Sequence, residues 1–180
     1  MFLNIITPCS RPQNLIKISE SINIPKENYR WIVVFDMEEF PSKELIPNNC
    51  EVYLHKDVKS KVGHSQRNFA LSLIKEGHVY MNDDDTLIHP KLWENIKNSD
   101  EHFITFHQSF NNGNHRLTAG DVRIAGIDSH NFIVRRDIIG DIKWIVEDYG
   151  ADGFFAVDCY KKSKSILILK EYLSIYNQLR

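Results

Sequence analysis

The sequence predicts an α/β fold with a mostly parallel central sheet flanked by helices, and two observations carry this prediction. Short apolar runs of strand length alternate with helical segments over the first hundred residues, an order typical of right-handed parallel crossovers. Polar residues directly follow several of these runs, at the edge of such a sheet where ligands bind. A chain of 180 residues can bury its own core, so we predict a single domain over residues 1–180.

The elements follow in order along the chain. Apolar runs predict strands at residues 2–7, 31–35, 51–55, 79–81, 103–106, 131–134 and 165–169. Helical spacing and end signals predict helices at residues 11–22, 63–77, 90–96 and 152–162. In the first helix, Leu15, Ile18 and Ile22 fall on one face, and Ser10 is placed to cap it. Gly77 is a typical residue for the end of the second helix.

Charge and composition exclude several classes of protein. Lys and Arg number 22 against 24 Asp and Glu, a net charge of −2, so a basic nucleic-acid-binding face is not expected. Cys9, Cys50 and Cys159 are odd in number and scattered, which indicates reduced thiols rather than disulfides or a zinc site. We find no secretory leader and no apolar stretch near the ~20 residues that a membrane span needs. We therefore expect a cytoplasmic protein without a membrane span.

Three consecutive aspartates, Asp83, Asp84 and Asp85, follow the predicted strand at 79–81 and are called the acidic triplet below. Two like charges 4 Å apart repel by about 4 kcal/mol at an effective dielectric of 20, so a proton or a cation should neutralise them. Consecutive side chains diverge, so Asp83 and Asp85 are expected to face one way and Asp84 the scaffold. Oxygen-only ligands suit Mg²⁺ or Mn²⁺. The alternative interpretation is an acidic surface loop or a helix cap before Pro90.

Four sequence segments, in this order along the chain, resemble the motifs of a known family. They are Asn4-Ile5-Ile6-Thr7-Pro8 with Arg11-Pro12, Val34-Phe35-Asp36, Gly63 with Gln66-Arg67-Asn68, and Tyr80-Met81-Asn82-Asp83-Asp84-Asp85. Together they resemble the glycosyltransferases of the GT-A (Rossmann-like) fold, most of all the inverting family 2 enzymes. The stretch from 63 to 85 also resembles the inverting glucuronyltransferases of animal proteoglycan synthesis. The resemblance covers the first half of the chain well and the second half loosely.

The resemblance implies a nucleotide-sugar-binding half at residues 1–100 and an acceptor-binding half at residues 101–180. It implies that seven residues hold the nucleotide: Thr7, Pro8, Arg11, Asp36, Arg67, Asp83 and Asp84. Among them Asp36 would accept a hydrogen bond from the nucleobase, and Asp83 would bind the ribose. Asp85, with Asp83, would hold a Mn²⁺ or Mg²⁺ ion at the diphosphate. His130 is a further candidate ligand for the metal, and His107 is the second choice.

Inverting transfer also needs a carboxylate that deprotonates the acceptor hydroxyl. The resemblance places this base near the start of a helix in the second half, where Glu147, Asp148 and Asp152 are the candidates. We prefer Asp152, with Asp148 second. The alternative for Asp152 is a plain N-cap of the helix. Trp144 and Tyr149 could stack on an acceptor sugar, although Trp144 also suits the core.

The predicted function is metal-dependent transfer of a single sugar, with inversion, from a nucleoside-diphosphate sugar to a glycan or other hydroxyl acceptor. The donor is expected to be a UDP-sugar. We find no Gln-x-x-Arg-Trp element, which argues against processive polymerisation. The polar segment 108–126 is predicted as a loop over the substrate, with Arg116, Asp121 and Arg123 as contacts. One alternative is a nucleotidyltransferase, although residues 7–11 contain no glycine. The other is a non-catalytic nucleotide-sugar-binding module. The chain could also form a homodimer.

Overall fold

The computed structural model describes residues 1–57, 59 and 62–180. Within them, eight strands form one sheet: β1 (Leu3–Cys9), β2 (Tyr29–Phe35), β3 (Glu51–Leu54), β4 (His78–Met81), β5 (Phe103–Phe110), β6 (His115–Leu117), β7 (Phe132–Arg135) and β8 (Ile166–Tyr176). The strand order is β3-β2-β1-β4-β7-β5-β6, and β8 pairs with β5. The mixed α/β architecture with a central sheet is the one predicted from the sequence.

The first half of the sheet is parallel, as predicted. β1 pairs in parallel with β2 and with β4, and β2 pairs in parallel with β3. The carboxyl ends of these four strands therefore meet at one edge of the sheet. The acidic triplet follows β4 and Asp36 follows β2, so the topology brings both to this edge, where open α/β sheets bind ligands.

The second half of the sheet reverses direction. β7 runs antiparallel to β4 and β5, β6 runs antiparallel to β5, and β8 lies parallel to β5. The polar segment 108–126 is thus only partly a loop, because it contains the end of β5 and all of β6. The prediction was wrong here because β6 is a three-residue strand of exposed or half-buried residues without an apolar alternation. β8 also continues to Tyr176, well past the predicted end at 169.

Helices cover both faces of the sheet. In the described residues they are α1 (Leu15–Ser21), α2 (His64–Ser72), α3 (Leu92–Ile96), α4 (Arg136–Ile139) and α5 (Ala151–Lys162). Alternate side chains of β1 and β2 enter two separate cores, as the pleat of a strand requires. Ile5 packs in one core with α1 and α3, and Ile6 packs in the other with α2 and α5. Both faces of the central strands are therefore buried, which explains why apolar residues of β1 and β2 occur on both of their faces.

Several element boundaries differ from the predicted ones. A 3₁₀ turn at Pro12–Asn14 precedes α1, and the hydroxyl of Ser10 caps neither of them. α2 ends at Ser72, well before Gly77. Gly77 instead lies against β1, where an added Cβ would come within 2.9 Å of the Phe2 carbonyl oxygen. In the part of the chain that the structure describes, no helix combines the length and the apolar content needed to cross a membrane.

Candidate active site

A pocket of about 140 Å³ opens at the carboxyl ends of the parallel strands. Six of the predicted site residues line it: Pro8, Arg11, Asp36, Asp83, Asp84 and Asp85. Other described residues around it are Cys9, Ser10, Val62, Gly63, Gln66 and Arg180. The loop after β1, the end of β2, the start of α2 and the end of β4 therefore build one site, as the topology of a parallel sheet requires.

Asp84 turns toward the loop after β1, as predicted. Asp83 and Asp85 do not form the expected pair, because Asp85 shares Arg11 Nη1 with Asp84 whereas Asp83 pairs with Arg67. Asp84 Oδ2 accepts hydrogen bonds from the Ser10 N–H at 2.7 Å, the Ser10 hydroxyl at 3.0 Å and the Arg11 N–H at 2.8 Å. Its Oδ1 lies 2.5 Å from Arg11 Nη1. The residue is only 4% exposed. Asp84 therefore joins the ends of β1 and β4. The alternative interpretation of the triplet as an acidic surface loop is wrong.

Asp83 points to the second half of the chain. Its Oδ1 pairs with Arg67, and its Oδ2 lies 3.0 Å from His130 Nε2. Burial works to raise the pKa of Asp83, but the charges of Arg67 and His130 outweigh it and hold the pKa well below the usual range. Asp83 is therefore ionised at neutral pH, and its side chain remains 27% exposed, so its carboxylate is accessible as an acceptor.

Asp85 faces the pocket mouth between two guanidinium groups. Its Oδ2 lies 3.1 Å from Arg11 Nη1 and 2.7 Å from Arg180 Nε. The Leu179 N–H donates to the Asp85 carbonyl at 2.8 Å. The carboxylate side chain is 3% exposed and that of Arg180 is 53% exposed. A buried carboxylate is thus paired with a solvent-exposed guanidinium. The sequence could not show this pair, because 94 residues separate its members and no local pattern marks Arg180.

His130 lies between two carboxylates rather than free in the pocket. Its Nε2 is 3.0 Å from Asp83 Oδ2 and its Nδ1 is 3.2 Å from Asp128 Oδ1. Burial alone would lower the pKa of His130, but these two charges raise it to about 9. The two carboxylates therefore favour the imidazolium form of the ring, with a proton on each nitrogen. The predicted role as a metal ligand would require the loss of one of these protons.

Asp128 holds His130 in this position. Its Oδ1 accepts the His130 N–H at 3.1 Å, and its backbone N–H donates to the Asn131 side chain, which forms a capping box. Its Oδ2 is 2.9 Å from Arg116 Nη1. Arg116 in turn lies over the Tyr176 ring at 3.8 Å. Arg116, predicted as a substrate contact, therefore supports the site through Asp128.

Arg67 is buried where α2 meets the segment before α5. Its guanidinium lies 4.6 Å from the centre of the Trp144 ring. Asn68, the next residue, donates to the Trp144 carbonyl at 2.9 Å and accepts the Trp144 N–H at 2.8 Å. Trp144 is 2% exposed, so it belongs to the core, and its ring supports the guanidinium of Arg67. Tyr149, the other predicted sugar platform, is 73% exposed.

Asp152 occupies the first turn of α5, whose N-cap is Gly150. The interpretation of Asp152 as the N-cap is therefore wrong, although its Oδ1 does accept the neighbouring Gly153 N–H at 2.7 Å. Burial, together with the charges of Asp128 and Asp83, raises its pKa from 3.8 to about 6, against the lowering effect of Arg67. Asp152 is not among the described residues that line the pocket at the acidic triplet.

The remaining candidate site residues are either exposed to solvent or engaged elsewhere in the fold. Asp148 and Glu147 are exposed, and Asp148 Oδ1 accepts the Gly150 N–H at 2.7 Å. Thr7 is fully buried, and its hydroxyl accepts the Trp31 indole N–H at 3.0 Å. His107 accepts the Ala119 N–H and packs beside Tyr172 on the second half of the sheet.

The other two predicted substrate contacts, Asp121 and Arg123, form an ion pair with each other. Arg123 Nε lies 2.8 Å from Asp121 Oδ1, and both side chains are solvent-exposed, at 68% and 39%. Neither of them is in the lining of the pocket formed by the described residues. The segment nevertheless approaches the start of α5, because an added Cβ on Gly153 would lie 2.7 Å from Ile124 Cα.

Solved structures share this architecture. TarS residues 1–349 from S. aureus align with a TM-score of 0.76 at 17% identity, over 97% of this chain and 60% of that chain. The same region in complex with UDP-GlcNAc gives a TM-score of 0.75 at 17% identity, over 97% of this chain and 58% of that one. The chain has the GT-A glycosyltransferase fold. The mannosyltransferase PcManGT from Pyrobaculum calidifontis, in complex with GDP-Man and Mn²⁺, gives a TM-score of 0.68 at 10% identity, over 97% and 56% of the two chains.

These likenesses confirm the GT-A fold predicted from the motifs between residues 4 and 85. The chain spans about 60% of TarS 1–349 and 56% of PcManGT. No family model matches the sequence, and a search of curated proteins finds no match.

Proposed function

We propose that this chain transfers a single sugar from a nucleoside-diphosphate sugar to a hydroxyl acceptor with inversion. The observation that carries the proposal is the acidic triplet at the end of β4, surrounded by Arg11, Arg67 and Arg180 in a GT-A fold. Guanidinium groups bind phosphate oxygens in a bidentate manner. The bound UDP-GlcNAc, UDP and GDP-Man of the similar structures support such a donor. A UDP-sugar remains our expectation.

In the proposed donor complex, residues 1–100 supply most of the contacts. Pro8, Arg11 and Asp36 line the pocket and would hold the nucleoside. Asp83, kept ionised by Arg67, would accept hydrogen bonds from the ribose. We leave Thr7 out of this set because its hydroxyl is engaged by Trp31 in the core.

In the proposed site, Asp85 would hold a Mn²⁺ or Mg²⁺ ion. Its carboxylate is a hard oxygen ligand in a place that already attracts positive charge, and its most exposed cationic partner, Arg180, can leave it. No group of three or more His, Cys, Asp or Glu suited to a metal ion occurs among the described residues, so phosphates and water would complete the shell, as is usual for Mg²⁺. A bound divalent ion supplies Lewis-acid stabilisation of the leaving diphosphate.

Asp152 is the base of the proposed reaction. It would take the proton of the acceptor hydroxyl as that oxygen attacks the anomeric carbon and the bond to the diphosphate breaks. A pKa of about 6 leaves the carboxylate ionised at neutral pH and still a better proton acceptor than an ordinary aspartate. The exposed Asp148 lacks this environment, which supports our preference between the two.

Donor hydrolysis tests the proposal, since a transferase without its acceptor commonly passes the sugar to water. Wild type with UDP- or GDP-sugars and Mn²⁺ should release nucleoside diphosphate and a sugar of inverted anomeric configuration, read by proton NMR. Asp152→Asn should slow release roughly 10²- to 10⁴-fold, whereas Asp100→Asn, a control carboxylate that is 90% exposed, should leave the rate unchanged. Nucleotide binding without release in wild type would favour a non-catalytic binding module. Exchange of pyrophosphate into a nucleoside triphosphate would favour a nucleotidyltransferase.

A further inference from the structure

Asn68 joins α2 to the chain segment that leads into α5. Its side-chain nitrogen donates to the Trp144 carbonyl at 2.9 Å, and its side-chain oxygen accepts the Trp144 N–H at 2.8 Å. These two bonds, called the Asn68 clamp below, hold both backbone polar groups of one residue across 76 positions of sequence. Further backbone hydrogen bonds of this segment, such as the one from the Ile142 N–H to the Ile139 carbonyl, are local. The clamp therefore sets where Trp144 lies against α2.

The Trp144 ring packs between α2 and α5. On the α2 side, the guanidinium of Arg67 lies 4.6 Å from the ring centre, and the His64 ring stacks at 5.5 Å. On the α5 side, the Phe155 ring stacks at 4.8 Å with an interplanar angle of 19°. The Trp144, His64 and Phe155 side chains are buried. Because a close-packed interior transmits a shift of one ring to its neighbours, the position of Trp144 fixes the spacing of the two helices.

Each of these two helices carries one part of the proposed reaction. α2 supplies Arg67, which pairs with Asp83 at the donor site. α5 supplies Asp152 in its first turn, three residues before Phe155, and residues three apart are neighbours on the surface of a helix. A general base must lie within hydrogen-bond reach of the proton that it takes. The spacing of α2 and α5 therefore decides whether Asp152 reaches an acceptor hydroxyl beside the bound donor.

We propose that Asn68, through Trp144, positions Asp152 relative to the donor site. This inference rests on the proposed function, because it assigns what holds the base of that reaction in place. Asn68 is a positioning residue, since it acts through the Trp144 and Phe155 rings.

The size of the effect is limited by the base itself. Misplacing a reacting group by about 1 Å can cost roughly 10²-fold in rate, and a general base contributes roughly 10²- to 10⁴-fold in total. Loss of the clamp should therefore slow the reaction roughly 10- to 100-fold, and never by more than the loss of Asp152.

Donor hydrolysis in a double-mutant cycle tests this role. Asn68→Leu should lower kcat for a UDP- or GDP-sugar with Mn²⁺ roughly 10- to 100-fold, while the dissociation constant of UDP or GDP in calorimetry stays within about twofold of wild type. In the Asp152→Asn background the same change should have no further effect, because the base that it positions is gone. Each rate is divided by the number of binding sites from calorimetry, so unfolded protein does not count as slow enzyme.

Two more variants complete the test. Asn95→Leu is the matched control, because Asn95 is also a half-buried asparagine of a helix, but its amide donates at 2.8 Å to Lys91 only four positions away. It should keep the wild-type rate. Asn68→Asp keeps the shape and the acceptor for the Trp144 N–H but cannot donate to the Trp144 carbonyl. It should also slow release, and it serves in place of Asn68→Leu should that variant not fold.

A wild-type rate in folded Asn68→Leu, or in Asn68→Asp, would overturn the inference. A slower rate that persists in the Asp152→Asn background would also overturn it. So would weaker nucleotide binding in proportion to the loss of rate, because Asn68 would then act through Arg67 and the donor. Wild type that releases no nucleoside diphosphate, or Asp152→Asn that releases it at the wild-type rate, would instead overturn the proposed function.

Discussion

Asp152→Asn is expected to make the protein more stable while removing its activity. Burial raises the pKa of Asp152 from 3.8 to about 6 in the folded protein, so its ionisation opposes folding. The difference of about 2 pKa units corresponds to about 2–3 kcal/mol. This cost is fully present above pH 6 and disappears as the pH falls below about 3.8. Asparagine keeps the shape and the acceptor for the Gly153 N–H and carries no charge.

Urea denaturation at two pH values measures this effect. At pH 7.5 the variant should gain about 2 kcal/mol in the free energy of unfolding, and near pH 4 the gain should shrink toward zero. Asp148→Asn is the matched control, because that carboxylate is exposed and its removal should change stability by no more than about 0.5 kcal/mol. Destabilisation of Asp152→Asn at pH 7.5, or a gain that does not depend on pH, would refute the reasoning.

The same group predicts the pH dependence of the reaction. The ionised form of Asp152 is the base, so kcat/KM for donor hydrolysis should fall about tenfold for each pH unit below 6. Loss of the base should reduce the rate roughly 10²- to 10⁴-fold. A profile that stays flat down to pH 4.5 in wild type would contradict the assignment of Asp152.

Three further predictions concern the pocket. Arg180→Ala should tighten Mn²⁺ binding in calorimetry by roughly fivefold, because it removes the guanidinium that competes with the ion for Asp85. Arg123→Ala serves as the control, and weaker Mn²⁺ binding in Arg180→Ala would contradict this competition. Gly63→Ala should destabilise the protein in urea by at least about 1 kcal/mol more than Gly113→Ala. Both glycines have positive φ, but only at Gly63 would a Cβ meet another residue, at 2.5 Å; equal costs would refute the clash. Asp84→Asn should cost roughly 1–3 kcal/mol of stability, since it weakens charge-assisted hydrogen bonds from Ser10 and Arg11; a neutral result would contradict its anchoring role.

Much of the site was predictable because its residues follow strand ends. The apolar runs of β1, β2 and β4 fixed where their carboxyl ends lie, and these placed Asp36 and the acidic triplet at one sheet edge. The opposite directions of neighbouring side chains then predicted that Asp84 faces the scaffold. Both inferences depend only on local geometry and parallel pairing, which the sequence pattern carries.

The rest of the site depends on contacts between distant segments. Arg180 reaches Asp85 across 94 residues, and Asp128 fixes the charge of His130 from the other side of the ring. Gln66 belongs to one of the four segments that carry the resemblance, but the hydrogen bonds that it donates to Asp36 and to the His55 carbonyl appear only in the structure. β6 escaped prediction because it is short and polar.

The central claim is that the acidic triplet binds a nucleoside diphosphate together with a divalent ion, and thermal denaturation tests it most directly. UDP and GDP are each added with Mn²⁺ or with EDTA to wild type, Asp85→Asn and the control Asp100→Asn. Ligand at 100 times its dissociation constant should add about 2.7 kcal/mol to stability, several degrees for a chain of this size. We predict that one nucleotide stabilises wild type and the control only with Mn²⁺, and that Asp85→Asn loses this effect. No stabilisation of wild type by either nucleotide under any condition would contradict the account.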